Sequence, residues 1–376
     1  RKQGGASADK KRVRYAVVGL GHIAQVAVLP AFAHASGNSE LTAFVSGDPT
    51  KLRKLGKQFG VGRLYSYEEY DECLKSGEVD AVYVALPNHL HREYTVRAAR
   101  EGVHVLCEKP MAVTERECEQ MIRACGENGV KLMIAYRLHF EESNPKAAEI
   151  VNSGKIGDPR IFSSDFTMQV VAGNIRLLDE TGGGTLYDIG IYCVNAARYL
   201  FRDEPTEVFA AAASKGERRF DEVEEMVSVV MRFPEERLAT FNCSFGAANV
   251  RAFRVIGTKG DLRADPAYEY AGELKHHLTV GERTRERTFP KRDQFAAELV
   301  YFSDCVLNDR KPEPSGEEGL IDVRIIRALY RSAKTGRGVK LGKLERKRRP
   351  TLKQEIKRPP VEKPELVNAE SPAGEK

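Results

Sequence analysis

The sequence predicts an α/β protein with an N-terminal Rossmann domain and a C-terminal α+β domain that contains a large, mainly antiparallel open sheet. Three observations support this fold class. Strand-like and helix-like segments alternate over residues 13–135, a glycine-rich turn follows the first strand, and strand-like runs with short connections follow one another over residues 207–257. The length of 376 residues also fits two domains better than a single core.

In the first domain, short apolar runs predict strands and the segments between them predict helices. Strict alternation of the two requires crossover connections, which place helices on both faces of a parallel sheet. The predicted strands are 15–18, 40–45, 81–85, 104–107 and 131–134, and the predicted helices are 23–33, 51–59, 67–74, 92–101 and 115–128.

After residue 136 the pattern changes to strands joined by short connections, which favours an antiparallel sheet. The expected elements are helices 144–153, 185–200, 293–307 and 317–335 and strands 160–168, 207–213, 225–233, 238–244 and 252–257. We therefore divide the chain into a basic N-terminal arm (1–12), a Rossmann domain (13–135), a second, α+β domain (136–340) and a charged, proline-containing tail (341–376). We expect the tail to be either mobile or draped over the surface.

The net charge of +5 is concentrated at the two ends of the chain. Residues 1–14 hold six Lys or Arg and one Asp, and residues 341–376 hold ten Lys or Arg and six Glu, which leaves −4 for residues 15–340. A basic surface for nucleic acid would lie on a structured face, so these ends indicate solvated tails and we expect no nucleic-acid partner. No apolar run approaches the roughly 20 residues of a membrane span, so we expect no membrane partner.

The seven cysteines show neither a CxxC pair nor a spacing with histidine that is typical of zinc ligands. Several stand among apolar neighbours, as small core residues do. We therefore expect neither a metal site nor a disulfide framework.

A nucleotide-binding turn follows the first strand. Gly19 allows a sharp bend, Gly21 lets the backbone approach a pyrophosphate, and Ala24 lets the next helix pack closely against the strand. Glycine turns of this kind also occur without a ligand, but this one stands between an apolar strand and an apolar helix, as the motif requires. The free N–H groups at the start of the helix favour phosphate. The predicted contacts of the dinucleotide pyrophosphate are Gly19, Leu20, Gly21, His22 and Ile23.

The end of the second strand indicates which dinucleotide is bound. In a Rossmann domain this strand usually ends in an acidic residue that binds the ribose 2′-hydroxyl of NAD. Here it ends at Ser46, with Lys51 just beyond, and a hydroxyl near an ammonium can accept a 2′-phosphate. The sequence favours NADP. NAD stays open because a small backbone shift would bring Asp48 to the ribose, and Lys51 could equally belong to a solvated helix face.

Two distant segments carry candidate catalytic residues. Lys109 follows a predicted parallel strand, whose carboxyl end is where such sheets place their active sites, and the proline after it is a candidate for a cis peptide bond. Asp188 and Tyr192 stand four residues apart, which puts them on one face of a helix. A phenol titrates near 10, so a neighbouring ammonium favours proton exchange closer to neutrality. The alternatives stay open that Lys109 is a surface residue, that Asp188 pairs locally and that Tyr192 is a core aromatic.

Glycines 182–184 precede this helix, and we interpret them as positions where a sugar could approach the backbone. Five motifs now stand in order along the chain: GLGHIA (19–24), ALPNHLH (85–91), CEKPMA (107–112), AYRLHF (135–140) and GGGTLYDIGIY (182–192). Together they resemble the glucose–fructose oxidoreductase branch of the Gfo/Idh/MocA oxidoreductase family, and the resemblance extends over about residues 13–340.

The resemblance implies a role for each candidate residue. Lys109 would lie beside the nicotinamide, Tyr192 would be the acid and base, and Asp188 would bind or orient a sugar. The residues implied to contact the nicotinamide half are Leu86, Pro87, Asn88, His91 and Glu108, those implied for the 2′-phosphate are Ser46 and Lys51, and those implied for further parts of the cofactor or cleft are Arg137 and Arg176.

The function implied by the resemblance is an NADP-dependent sugar oxidoreductase that oxidises C1 of an aldose to the aldonolactone. Reduction of a second sugar on the same tightly bound cofactor would extend this activity. A simple NAD(P)-dependent sugar dehydrogenase and a non-catalytic sugar- or nucleotide-sensing protein stay open. The resemblance further implies a homodimer or homotetramer formed through the open sheet of the second domain. Some family members are exported through a twin-arginine signal, so both cytoplasm and periplasm stay open.

Overall fold

The computed structural model describes residues 11–343, 346, 348–362 and 364–374. Most of the predicted basic arm therefore lies outside the described residues. Within the described part of the chain, the backbone forms one sheet of six strands and one of nine.

The six-stranded sheet is built from the apolar runs of the first 135 residues. Its strands are β1 (Val13–Val18), β2 (Ser39–Val45), β3 (Arg63–Tyr65), β4 (Ala81–Val84), β5 (His104–Glu108) and β6 (Leu132–Ala135). All neighbours pair in parallel in the order β3-β2-β1-β4-β5-β6, the order of a Rossmann domain. The carboxyl ends of β1 and β4 therefore lie side by side, where a dinucleotide binds.

Helices connect these strands and cover the sheet. They are α1 (Leu29–Ala35), α2 (Pro49–Phe59), α3 (Tyr70–Lys75), α4 (His91–Arg100) and α5 (Glu115–Glu127), and a π-helical turn at Ala24–Val28 leads into α1. The boundaries have local causes. Thr114 and Glu117 form a capping box at the start of α5, and Asp48 caps α2, which ends at Gly60 in the left-handed conformation.

The second sheet is mainly antiparallel. Its strands run in the order β14-β13-β12-β11-β7-β10-β9-β8-β15, and only the pairing of β7 with β10 is parallel among them. The strands are β7 (Pro159–Gln169), β8 (Glu207–Ala213), β9 (Met226–Phe233), β10 (Arg237–Ser244), β11 (Gly246–Gly257), β12 (Gly260–Ala264), β13 (Leu274–Val280), β14 (Arg283–Phe289) and β15 (Val339–Lys340).

Four helices accompany this sheet: α6 (Ser143–Asn152), α7 (Ile191–Phe201), α8 (Gln294–Leu307) and α9 (Gly316–Thr335). Of these, α7 packs on β7 and α9 packs on β8, so one face of the sheet is covered. On β9 the buried and exposed residues alternate along its whole length, as expected for a sheet with one face uncovered. In contrast, α8 returns to the first domain and packs against α1. It also contacts β1, since the hydroxyls of Tyr15 on β1 and Ser303 on α8 are 2.7 Å apart.

The predicted fold class is confirmed, with local differences. The strands β3, β12, β13, β14 and β15 were not predicted. β3 has three residues, and β14 reads RTRERTF with six of its seven residues exposed, so neither shows the apolar pattern from which strands are predicted. The helix expected at 185–200 is a π-helical turn at Leu186–Gly190 followed by α7.

The described part of the C-terminal tail lies along the body of the molecule. Arg349 pairs with Glu204 at 2.7 Å, and both side chains are less than a tenth exposed. Arg346 pairs with Glu313 and Glu318. Charged side chains thus fix the first part of the tail to the second domain.

All seven cysteines are buried and free. In the described part of the chain we find no helix that combines the length and apolar character needed to cross a bilayer.

Candidate active site

The glycine turn after β1 is open where a dinucleotide would lie. Gly19 has a φ of +93°, and a Cβ built on it would stand 2.5 Å from the Ala85 carbonyl oxygen, so its place requires glycine. The Cβ position of Gly21, in contrast, is open, because no described atom other than those of its chain neighbours lies within 4 Å of it. Of the other predicted pyrophosphate contacts, Leu20 is buried and His22 and Ile23 are partly exposed. The turn keeps the cradle that a pyrophosphate fits.

The residues expected at the ribose meet at the carboxyl end of β2. Ser46 is buried, and its Oγ accepts a hydrogen bond from the Asp48 N–H at 3.2 Å. Asp48 Oδ1 accepts from the N–H groups of Thr50 and Lys51, at 2.8 and 3.1 Å, and so caps α2. Asp48 Oδ2 accepts from Asn368 Nδ2 at 3.0 Å, a bond that helps to hold the pKa of this carboxyl below its usual value. Both oxygens of the carboxylate are therefore engaged within the protein.

The three predicted catalytic residues come together at the carboxyl end of β5. Lys109 Nζ donates to the Asp188 carbonyl oxygen at 2.8 Å and lies 3.5 Å from Asp188 Oδ1. The same ammonium lies 4.7 Å from the centre of the Tyr192 ring. The Lys109–Pro110 peptide bond is cis. Residues separated by about 80 positions thus form one cluster that joins the two domains.

The Asp188 carboxylate is held between two cations. Arg176 Nε donates to Asp188 Oδ2 at 2.7 Å, on the opposite side from Lys109. Burial by itself would raise the pKa of Asp188, but the charges of Arg176 and Lys109 outweigh burial and keep this pKa below its ordinary value. Asp188 is therefore a fixed anion that orients both cations.

Arg137 also lies against the ring of Tyr192. Its guanidinium carbon is 5.1 Å from the centre of the Tyr192 ring, and it is buried. Nη2 donates to the Tyr268 carbonyl at 2.6 Å, and Nη1 donates to Gln294. Arg137 therefore fixes the phenol from the interior of the second domain.

The loop after β4 holds most of the residues predicted for the nicotinamide half. Asn88 Nδ2 donates to the Gly182 carbonyl at 2.8 Å and so ties this loop to the second domain. The His91 ring is wholly buried, with Nδ1 2.8 Å from the Pro110 carbonyl and Nε2 2.8 Å from the Leu86 carbonyl. Its ring therefore holds the loop that contains Lys109 against the end of β4. Leu86 is buried and Pro87 is partly exposed.

Glu108 ends β5 beside Lys109. Its Oε1 accepts from the Tyr83 hydroxyl at 2.8 Å and its Oε2 from the Lys109 N–H at 3.3 Å. Burial raises the pKa of this carboxyl despite the neighbouring ammonium. Glu108 therefore positions the backbone from which Lys109 projects.

The interpretation of glycines 182–184 as an approach for sugar was wrong. A Cβ on Gly182 would stand 2.4 Å from a Val113 methyl, and one on Gly183 would stand 2.5 Å from the Arg176 carbonyl oxygen. Gly184 has a φ of +116°, and its Cβ would meet the Tyr330 hydroxyl at 2.3 Å. The glycines allow protein segments to pack against one another, not a ligand to approach.

Two buried residues of the site region were not found from the sequence. Gln25 donates to the Leu20 carbonyl inside the glycine turn at 2.9 Å. Glu298, on α8, is fully buried near Glu108, neither of its oxygens has a hydrogen-bond partner in the described structure, and burial raises its pKa well above the usual value. The sequence pattern that could have indicated Gln25 and Glu298 is a single polar residue within an otherwise apolar helical run.

Among the described residues, no group of three or more His, Cys, Asp or Glu could hold a metal ion. A dinucleotide does fit the residues present, because Gly21 leaves a free cradle at the start of a helix and the Lys109 cluster lies along the same edge of the sheet.

An open dinucleotide turn beside a lysine and a phenol is the arrangement of a nucleotide-dependent oxidoreductase. Comparison with known families agrees: residues 13–136 match the model described as an oxidoreductase family with an NAD-binding Rossmann fold, and residues 145–263 match the GFO/IDH/MocA C-terminal domain. The chain belongs to the Gfo/Idh/MocA oxidoreductase family.

Individual relatives cover nearly the whole chain. A D-xylose 1-dehydrogenase [NADP(+)] from Haloarcula marismortui is 33% identical over 346 residues, which is 89% of this chain and 95% of the relative. The crystal structure of an aldose–aldose oxidoreductase from Caulobacter crescentus complexed with glycerol has 41% identity and a TM-score of 0.84, over 88% of this chain and 100% of that one. A 3-ketoreductase from Actinomadura kijaniata in complex with NADP and TDP-benzene has 27% identity and a TM-score of 0.79, over 86% of this chain and 98% of that one.

Proposed function

We propose that this protein is an NADP-dependent sugar oxidoreductase that oxidises C1 of a pyranose aldose to the aldonolactone. The observation that carries the proposal is the cluster of Lys109, Asp188 and Tyr192 at the carboxyl end of β5, beside the open turn at Gly21. The named relatives that act on aldoses with NADP, a D-xylose 1-dehydrogenase and an aldose–aldose oxidoreductase, support this substrate class.

The protein's own residues would divide the work as follows. Bound NADP would supply the hydride acceptor. Tyr192 in its phenolate form would take the proton from the C1 hydroxyl and become the phenol, and the Lys109 ammonium against its ring would favour the phenolate by its charge. Asp188 would keep Lys109 and Arg176 in place through its ion pairs with them, and it would orient the sugar hydroxyl.

For the cofactor, we propose that the 2′-phosphate lies near Ser46 and Lys51. Asp48 already accepts three hydrogen bonds within the protein, which leaves this carboxylate less acceptor capacity for the ribose hydroxyl on which NAD recognition depends. The pyrophosphate would contact Gly19–Ile23, and the loop after β4 together with Glu108 would line the nicotinamide half.

Whether a second sugar is reduced on the same cofactor depends on how long NADP stays bound. The two relatives named for aldoses differ on this point, since one is a dehydrogenase and the other an aldose–aldose oxidoreductase. We favour the coupled reaction because residues 364–374 lie beside the dinucleotide turn, where the Val367 N–H donates to Gln25 Oε1 at 2.7 Å. A panel of aldoses assayed with NADP and NAD, with and without a second sugar as acceptor, separates the two activities.

The substitution Tyr192→Phe tests the role of the phenol. Replacing Tyr192 with Phe removes the hydroxyl that exchanges the proton but keeps the ring that packs on Lys109, so kcat should fall by about 100-fold or more while the Kd for NADPH stays nearly unchanged. Steady-state kinetics on the best aldose and fluorescence titration with NADPH measure the two effects.

Tyr187→Phe is the matched control. This tyrosine belongs to the same helical segment, but its hydroxyl donates to the Val113 carbonyl at 2.6 Å, away from Lys109. The control should keep near-normal turnover. Near-normal turnover in Tyr192→Phe would refute the assignment of Tyr192 as the acid and base. Absence of turnover by the wild type with every aldose of the panel would instead favour a non-catalytic sensing protein.

We further propose a homo-oligomer formed through the uncovered face of the second sheet. Phe209 and Val230 are paired across β8 and β9, and Ile161 and Leu238 are paired across β7 and β10. Each of these four side chains is at least 40% exposed. Several exposed apolar side chains on neighbouring strands are typical of a protein interface.

A further inference from the structure

The end of the described tail, residues 364–374, lies at the rim of the dinucleotide crevice, and we call it the strap. The Val367 N–H donates to Gln25 Oε1 at 2.7 Å, and the Val367 carbonyl accepts from Gln25 Nε2 at 2.9 Å. Gln25 Nε2 also donates to the Leu20 carbonyl at 2.9 Å. The strap is thus hydrogen-bonded, through one buried amide, to the turn that would hold the pyrophosphate.

A second contact lies at the ribose end. Asn368 Nδ2 donates to Asp48 Oδ2 at 3.0 Å, and Asn368 has a φ of +47°. Asp48 stands two residues after Ser46, at the carboxyl end of β2. The strap therefore turns beside the place where the adenosine ribose would lie.

A third contact joins the strap to the second domain. The Val171 N–H donates to the Pro372 carbonyl at 3.0 Å, and Gly374 packs against the Val171 side chain. Val171 begins the loop that leads to Arg176, which pairs with Asp188 at the catalytic cluster. In about five residues the strap passes from the first domain to the loop that holds part of the active site.

The tail before the strap is fixed along the body. Gln354 Nε2 donates to the Glu313 carbonyl at 2.7 Å, the Ile356 N–H donates to the Phe140 carbonyl at 3.0 Å, and the Arg358 carbonyl accepts from the Asp293 N–H at 3.3 Å. An element tethered so close to its docking site has a high effective concentration there, so it closes again quickly after opening.

We propose that the strap closes the dinucleotide site and slows the release of the bound cofactor. This inference rests on the proposed function, in which the turn at Gly19–Ile23 holds NADP. A dinucleotide seated between that turn and Ser46 would leave past a segment bonded to Gln25, Asp48 and Val171, so release requires these bonds to open. They are few and partly exposed, which is typical of a segment that opens locally without unfolding of the domains. The strap would therefore gate cofactor exchange.

The experiment measures the rate of NADPH release from the loaded full-length protein, followed by nicotinamide fluorescence during chase with excess NADP. Asn368→Gly removes the amide that binds Asp48, while glycine accepts the positive φ at no cost. Loss of this bond should raise the release rate by about three- to tenfold. A chain shortened after Glu362 loses all three contacts and should release NADPH about 30-fold faster or more.

Glu370→Ala is the matched control, since Glu370 is an exposed residue of the same segment. It should leave the release rate unchanged. Thermal unfolding of the cofactor-free proteins checks that faster release does not come from lost stability, and if the shortened chain is unstable, Asn368→Gly decides. If the wild type, Asn368→Gly and a folded shortened chain all release NADPH at the same rate, the proposed role of the strap is wrong and the proposed function is unaffected. Failure of the wild type to bind NADPH would overturn the proposed function as well.

Discussion

At the scale of single residues, Gly21 and Gly184 have opposite surroundings. The Cβ position of Gly21 faces free space, whereas that of Gly184 lies 2.3 Å from the Tyr330 hydroxyl. Tyr330 in turn donates to Glu224 Oε1 at 3.0 Å, so it cannot move aside without breaking this bond. The first glycine leaves room for a ligand, and the second leaves room for protein.

This difference gives a prediction from two alanine substitutions. Gly21→Ala should leave the melting temperature nearly unchanged but weaken NADPH binding by about tenfold or more, about 1.4 kcal/mol, because the new methyl group occupies the pyrophosphate cradle. Gly184→Ala should lower the free energy of unfolding by about 3 kcal/mol, since it adds a clash and a strained backbone conformation. Thermal unfolding and fluorescence titration measure both variants. Tight NADPH binding by Gly21→Ala would contradict the placement of the pyrophosphate.

Sequence patterns predicted Lys109, Asp188 and Tyr192 as site residues because each stands at a strand end or on a helix face, and the structure brings the three together. The patterns did not identify Gln25 as the link to the strap. Its partner stands 342 residues further along the chain, and such a contact depends on tertiary packing that no local pattern encodes.

At the scale of elements, His91 connects three segments of the first domain. It begins α4, and its two ring nitrogens lie 2.8 Å from the carbonyls of Leu86, after β4, and Pro110, after β5. Buried carbonyls that lose their partners are costly, so this ring stabilises the loop that carries Lys109.

Replacing His91 with Leu should lower the free energy of unfolding by about 2 kcal/mol, because the ring N–H that donates to a buried carbonyl is lost. It should also lower kcat more than it raises KM, since Lys109 would lose its fixed position. Urea unfolding and steady-state kinetics measure the two effects. Arg100→Ala, at the exposed end of the same helix, is the control and should change neither. Unchanged kcat in His91→Leu would show that this ring does not position Lys109.

The apolar strands of the first domain were predicted to within one or two residues at nearly every end, because continuous buried runs between helices have a clear pattern. β12, β13 and β14 were missed for the opposite reason. They lie toward one edge of the second sheet. β12 has only five residues, and β13 and β14 carry charged or polar residues on both faces, so local alternation does not distinguish them.

At the scale of the whole molecule, the order of elements along the chain does not follow their packing. α8 comes after the strands of the second sheet, yet Phe295, Leu299 and Phe302 pack into the core around β1. α9 likewise contacts α5 in the first domain and β8 in the second. Because α8 and α9 pack against the first domain, they hold the two domains together. Lys109 is thereby fixed opposite Tyr192, and no single motif shows this relation between the domains.

The uncovered face of the second sheet gives the final prediction, on oligomeric state. Val230, on β9 within the sheet, and Val280, at the β13–β14 turn near its edge, are 40% and 41% exposed. Val230→Asp should convert the expected oligomer into monomers, because a carboxylate buried against an apolar partner surface costs several kcal/mol. Val280→Asp adds the same charge outside the proposed interface and should leave the assembly intact. Sedimentation equilibrium measures the mass, and circular dichroism checks that both variants fold. A wild-type protein that is monomeric at high micromolar concentration, or a Val230→Asp variant with unchanged mass, would refute an interface on this face.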